Sequence, residues 1–138
     1  MTEFILPVRV YYEDTDAAGV VYYANYLRFI ERARTDWLRS LGVDQSSLLE
    51  THGVAFAVRS LEAEYLKPAR LDDELLVRSS IEELSRAQLI FKQDVLRGED
   101  VLFSSRVRVV CFDPVAARAA AIPKLIHEKF KALEKVAS

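Results

Sequence analysis

A single cysteine, Cys111, stands in the 138-residue chain, so no internal disulfide can form. A lone thiol suits a reducing compartment, and a cytoplasmic location is expected. The only histidines, His52 and His127, lie far apart, each without a Cys or second His nearby. A zinc site of ordinary ligand spacing is therefore not expected, and no metal or cofactor is predicted. Gly and Pro number four each, too few for a linker, a collagen or a loop-dominated scaffold. No P-loop, G-x-G-x-x-G or G-x-S-x-G run occurs, which removes the usual signals of nucleotide hydrolysis, dinucleotide binding and α/β serine hydrolysis. No apolar run approaches the roughly 18 residues of a membrane span. The opening MTEFILPVRVYYED has neither a basic n-region nor a small-residue cleavage site, so it does not read as a signal peptide. Positive charge is not in excess either. Lys plus Arg total 19 against 21 Asp plus Glu, a net charge of -2, which argues against nucleic acid as a partner. Any catalysis has to rest on carboxylates, backbone donors and hydroxyls.

What is present is a folding chain. Hydrophobic residues make up 51% and charged residues 29%, and the length suits one domain over residues 1–138. Residues 4–12 alternate as a strand, with Val8, Val10 and Tyr12 in one phase. A polar turn, EDTDAAG, follows at 13–19. Tyr23, Tyr26, Leu27, Ile30, Trp37, Leu38 and Leu41 then fall on one stripe, predicting a helix over 22–41 that stops at Gly42. Arg34 sits within that stripe and needs a partner, and Glu31 one turn earlier is the nearest carboxylate. Residues 46–52 read as a short helix ending at Gly53. Four strands follow from Ala55, with a phase slip near Arg59 and Ser60 that predicts a bulge. Beyond Pro123, Leu125, Ile126, Phe130 and Leu133 make an amphipathic helix, with Lys124, Lys129, Lys131 and Lys135 on its polar side. The order predicts an α+β domain: a long central helix wrapped by a curved five-stranded antiparallel sheet, with a short C-terminal helix. The last strand is long and apolar, and is read as an edge that pairs with a second copy.

The turn before the long helix is where chemistry could sit. Asp14 or Asp16 could merely shape the turn or cap the helix. Alternatively, the helix start beyond Gly19-Val20-Val21 could hold an oxyanion on unpaired N–H groups while a carboxylate attacks or activates water.

The run VRVYYEDTDAAGVVYYANYLRFIERAR, residues 8–34, resembles the hotdog-fold acyl-CoA thioesterases. It is most similar to the branch associated with the Tol-Pal system, related to bacterial 4-hydroxybenzoyl-CoA thioesterase. The resemblance extends through EAEYLKPARLDDEL at 62–75, and its D-T-D-x-x-G-V-V-Y-x-x-N-Y run is specific. It implies a hotdog fold, a homodimer or homotetramer, and hydrolysis of acyl-CoA without metal or cofactor. It implies Asp16 as the catalytic carboxylate and the Tyr23 backbone N–H as the group that polarises the thioester carbonyl. Substrate contacts are expected at Val21, Tyr22 and Asn25; Asn25 and Tyr26 could line the acyl pocket or merely pack, and packing is the favoured reading for Tyr26. Many members of the Tol-Pal-associated branch carry His at the position of Tyr23, and the hydroxybenzoyl branch carries an aromatic. A backbone role survives that change and a histidine side-chain role does not.

CoA carries phosphates, so arginines should gather at its mouth. Arg86 and Arg118 sit where related thioesterases place nucleotide-binding arginines, and could equally be solvated surface charges. Trp37, Cys111 and His52 read as structural. Two other functions compete: a dehydratase acting on acyl-carrier protein, disfavoured by the scarcity of His, and a non-catalytic module that binds acyl-CoA or acyl-carrier protein. An aromatic acyl-CoA thioesterase of the 4-hydroxybenzoyl type is the alternative within the leading class.

Overall fold

The computed structural model describes residues 3–134. Its order is β1 (Glu3–Arg9), α1 (Asn25–Ser40), α2 (Gln45–His52), β2 (Ala55–Tyr65), β3 (Glu74–Leu84), β4 (Gln88–Arg97), β5 (Asp100–Asp113), β6 (Arg118–Ala119) and α3 (Lys124–Leu133). The strands form one antiparallel sheet in the order β1-β3-β4-β5-β2, with the two-residue β6 added against the end of β5. The sheet curls about α1 as a half-barrel, the architecture expected from the sequence.

The periodicities explain the packing. Phe29, Ile30, Ala33 and Trp37 share one face of α1 and are buried against Val77, Ile81, Leu89, Phe91, Val95 and Val107 of the sheet. Trp37 stacks on Phe4 of β1 at 5.9 Å and meets Phe91 edge-on at 6.0 Å. Gly53 takes a left-handed φ of 67° and its N–H returns to Leu49 O at 2.9 Å, closing α2 where the sequence placed its end. Lys129 of α3 donates to Leu41 O at 2.7 Å, at the C-terminal end of α1. The β2–β5 register slips between Val58 and Ser60, the bulge the phase change predicted.

Five expectations are corrected. The first strand stops at Arg9, and Tyr12–Asp14 form a 3-10 turn that turns Tyr12 to solvent. The long helix begins at Asn25, not 22, because Tyr22 N–H bonds back to Asp14 O at 3.0 Å and keeps the chain in a turn. Tyr23 consequently leaves the apolar stripe and is 63% exposed. Arg34 pairs with the amide of Gln93 at 2.9 Å, whereas the Glu31 carboxylate accepts from Thr35 Oγ1 at 3.5 Å and acts on Arg34 only through space. The last long strand, β5, is interior, and the edges of the sheet are β1 and β2. In α3, Leu125 faces solvent while Ile126 and Phe130 are buried; Lys135 lies outside the described residues.

Candidate active site

The loop between β1 and α1 is held by two aspartates with different tasks. Asp14 is buried. Its Oδ2 accepts from Tyr11 N–H at 2.8 Å and its Oδ1 accepts from Asn25 Nδ2 at 2.6 Å. Together with its carbonyl bond to Tyr22 N–H, this locks the loop to the first residue of α1. Asn25 is itself buried, and its side-chain amide is bonded to Asp14.

Asp16 is exposed. Its Oδ1 accepts from Ala18 N–H at 2.9 Å, and its backbone exchanges bonds with Val20 O and Gly19 N–H at 2.9 and 3.0 Å. Gly19 supplies the left-handed φ of 79° that this tight turn needs. The other carboxylate oxygen, Oδ2, has no hydrogen-bond partner among the described residues. Val21 is buried and donates its N–H to Ala69 O at 2.8 Å, fastening the loop to the segment before β3. Val21 therefore anchors the turn, while Tyr22 and Tyr23 stand exposed beside it with ring centroids 4.8 Å apart.

The backbone donors at the start of α1 are unevenly used. Tyr22 N–H is taken by Asp14 O, and Asn25 N–H by Tyr22 O at 2.8 Å. Tyr23 N–H and Ala24 N–H have no acceptor among the described residues. The residue before the helix, Ala24, offers no side-chain cap for these donors. Beside these donors, Tyr65 of β2 donates its hydroxyl to Tyr23 O at 2.9 Å. Its ring lies edge-on to Tyr26 at 5.5 Å and to Phe103 at 5.0 Å. Burial, reinforced by neighbouring Tyr23 and Tyr26, raises the Tyr65 pKa, so the phenol stays a proton donor at neutral pH. Tyr26 is core: it stacks on Phe103 at 5.1 Å, and its hydroxyl accepts from Ala69 N–H at 3.0 Å.

Arg86 and Arg118 are exposed and share one end of the sheet. Arg86 lies in the β3–β4 turn, where its carbonyl accepts from Ile122 N–H at 2.9 Å, just beyond β6 and Arg118. Asp16 and Tyr23 belong to the opposite end, since Val10 N–H bonds Asp73 O immediately before β3 begins. An 11-residue β3 separates the two ends, roughly 33 Å at strand rise. One protomer thus carries Asp16, Tyr22 and Tyr23 in one loop and the two arginines at the other end of the sheet. Tyr65 and Ala24 N–H were not found by reading the sequence. Tyr65 is 42 residues from Tyr23, and a backbone donor leaves no side-chain signature.

Among the described residues, no cluster of three or more His, Cys, Asp and Glu is placed to hold a metal, and no helix is long and apolar enough to cross a membrane. The chemistry available is a carboxylate with a free oxygen close in sequence to two free N–H donors at a helix start.

Comparison with known proteins places this arrangement. The thioesterase superfamily pattern matches residues 18–104. The chain is 44% identical over 131 residues to the acyl-CoA thioesterase YbgC of Haemophilus influenzae, covering 95% of this chain and 96% of that protein. It is 47% identical over 131 residues to the acyl-CoA thioester hydrolase YbgC of Escherichia coli O157:H7, covering 94% of this chain and 97% of that one. The crystal structure of a probable thioesterase from Bartonella henselae superposes with a TM-score of 0.83 at 32% identity, covering 88% of this chain and 99% of that one. With its curled sheet around one long helix and these matches over nearly its whole length, the chain belongs to the hotdog-fold thioesterase superfamily and is a thioester hydrolase.

Proposed function

We propose that the chain hydrolyses acyl-CoA to free acid and CoA, with Asp16 as the reacting carboxylate and Tyr23 N–H as the oxyanion donor. The observation that carries this reading is the free Asp16 Oδ2 seven residues before the unpartnered Tyr23 N–H. As a general base, Asp16 takes a proton from water as the water oxygen bonds to the thioester carbon. The carbonyl oxygen becomes an oxyanion on Tyr23 N–H; the carbonyl then re-forms as the C–S bond breaks and CoA leaves as thiolate. As a nucleophile, Asp16 bonds the same carbon and expels CoA thiolate; water then cleaves the resulting anhydride. Exposed Tyr22 borders the acyl group in either route. Release of CoA thiol from a panel of acyl-CoAs, slowed about 10²-fold or more by Asp16→Asn, is the test.

The active form we propose is a dimer joined at β2, working in the cytoplasm, where Cys111 stays reduced. The free edge of β1 is interrupted by Pro7, which has no N–H to pair, whereas β2 runs 11 residues without proline. Val58, Leu61 and Tyr65 oppose buried Val109, Val107 and Phe103, yet are themselves about half exposed. Antiparallel pairing of two β2 strands brings the far end of one sheet beside the near end of the other. The partner's Arg86 and the partner's Arg118 then approach the Asp16 loop and meet the CoA phosphates, which explains arginines so distant within one chain. An acyl-carrier protein presents the same pantetheine thioester and is an alternative donor of the acyl group.

A further inference from the structure

We propose that Tyr65 is a positioning residue of the oxyanion site, and that it sets Ala24 N–H beside Tyr23 N–H as a second donor. This rests on the reading of Asp16 and Tyr23 given above. The C=O of one residue and the N–H of the next belong to one rigid trans unit, so fixing the carbonyl fixes the N–H. Tyr23 N–H shares its peptide with Tyr22 C=O, which accepts from Asn25 N–H at 2.8 Å. Ala24 N–H shares its peptide with Tyr23 C=O, which accepts from the Tyr65 hydroxyl at 2.9 Å. Each unpartnered donor is thus held by a bond to the far side of its own peptide. The first anchor is local and comes with the helix start. The second comes from β2, 42 residues away, and the Tyr23 carbonyl has no other described partner.

Bonds to the carbonyls also polarise the same peptides and strengthen the two N–H groups as donors. The Tyr65 ring is placed for this task by edge contacts to Tyr23 at 6.3 Å, Tyr26 at 5.5 Å and Phe103 at 5.0 Å. Those contacts persist if the hydroxyl alone is removed, so packing and positioning can be separated. A donor that must reorient as charge develops stabilises the oxyanion less than one already aimed.

The test is Tyr65→Phe in the full-length protein, assayed with whichever of butyryl-, hexanoyl- and benzoyl-CoA turns over fastest. The expected result is a fall in kcat of about tenfold, less than the 10²–10³ lost with an entire oxyanion donor, with KM and melting temperature essentially kept. A second readout is the infrared carbonyl stretch of that acyl-CoA bound to slow Asp16→Asn protein. It should lie below its value in free acyl-CoA, and move back toward that value when Tyr65→Phe is added. Unchanged kcat with an unchanged stretch overturns the proposal, as does a loss of kcat that follows lost melting temperature while the stretch stays put. In both cases an inactive Asp16→Asn leaves the catalytic reading standing. Near wild-type turnover by Asp16→Asn overturns that reading, and the role of Tyr65 with it.

Discussion

Arg34 Nη1 donates to Gln93 Oε1 at 2.9 Å, joining the middle of α1 to β4 at the centre of the sheet. Gln93 is fully buried and spends its amide nitrogen on Ile30 O and Ser79 Oγ, both at 2.9 Å. Burial pulls the Arg34 pKa down, with Glu31 opposing it, yet a guanidinium cannot shed its proton to escape a poor site. Gln93→Leu should therefore destabilise by about 2–4 kcal/mol, because it leaves a partly buried cation and the buried Ser79 hydroxyl without their amide partner. Arg34→Met should cost less than half of that. The double variant should be milder than the sum of the two, which urea denaturation of all three would show.

The outer face of the sheet predicts an acid limb in stability. Burial alone would raise the Asp94 pKa, but hydrogen bonds from Lys92, Ser104 and Arg78 outweigh it and hold the carboxyl below its ordinary value. Arg78 Nη2 lies 3.1 Å from its Oδ2, and Lys92 Nζ binds its Oδ1. A folded pKa below the unfolded one gives stability that is complete above about pH 4 and is lost as pH falls through the folded value. Urea midpoints measured from neutral pH down to about pH 3 should decline, and Asp94→Asn should flatten part of that decline. An identical slope in the variant would assign the acid limb to other carboxylates, Asp73 beside Arg97 first among them.

Assembly at β2 gives a prediction opposite to one drawn from β5. Val58→Lys with Leu61→Lys places two charges on the half-exposed edge, whereas nothing comparable is open on β5, whose flanks are β4 and β2. Sedimentation should show the wild type as a dimer or a higher multiple and the double variant as a monomer with little thioesterase activity. A fully active wild-type monomer at micromolar concentration contradicts the shared site.

Arg86→Ala and Arg118→Ala should each raise KM for acyl-CoA severalfold with kcat little changed, since the nucleotide is remote from the bond that breaks. Turnover of a truncated pantetheine thioester should be nearly unaffected. A loss of kcat alone would place these arginines in structure or chemistry instead.

Local periodicity made much of this molecule readable before any coordinates. The apolar stripe of α1, the Gly53 stop and the phase slip at Val58–Ser60 are each written in a few consecutive residues. What escaped is non-local. The i,i+3 rule offered Arg34 a carboxylate on its own helix, but the side chain turns inward to Gln93, 59 residues away. The long apolar β5 looked like an edge seeking a partner, although strands enclosed by neighbours are the ones that become most apolar. Tyr23 fell on the helical stripe by spacing, yet the Asp14–Tyr22 bond delays the helix by one turn and leaves Tyr23 outside it. That delay puts Tyr23 and Ala24 in the turn ahead of the first helical residue.

Two carboxylates could reach the thioester chemistry, and Asp16, not the helix carboxylate Glu31, is the one proposed to act on it. Glu31 lies in α1, about two turns from the free donors at the helix start, beside Arg34 in a groove of about 170 Å³. Steady-state release of CoA thiol by Asp16→Asn and Glu31→Gln, with folding checked by melting temperature, compares the two directly. Asp16→Asn should lose about 10²-fold or more in kcat with KM largely kept, while Glu31→Gln should retain most of its activity. Near wild-type turnover by Asp16→Asn together with an inactive, folded Glu31→Gln would contradict that assignment.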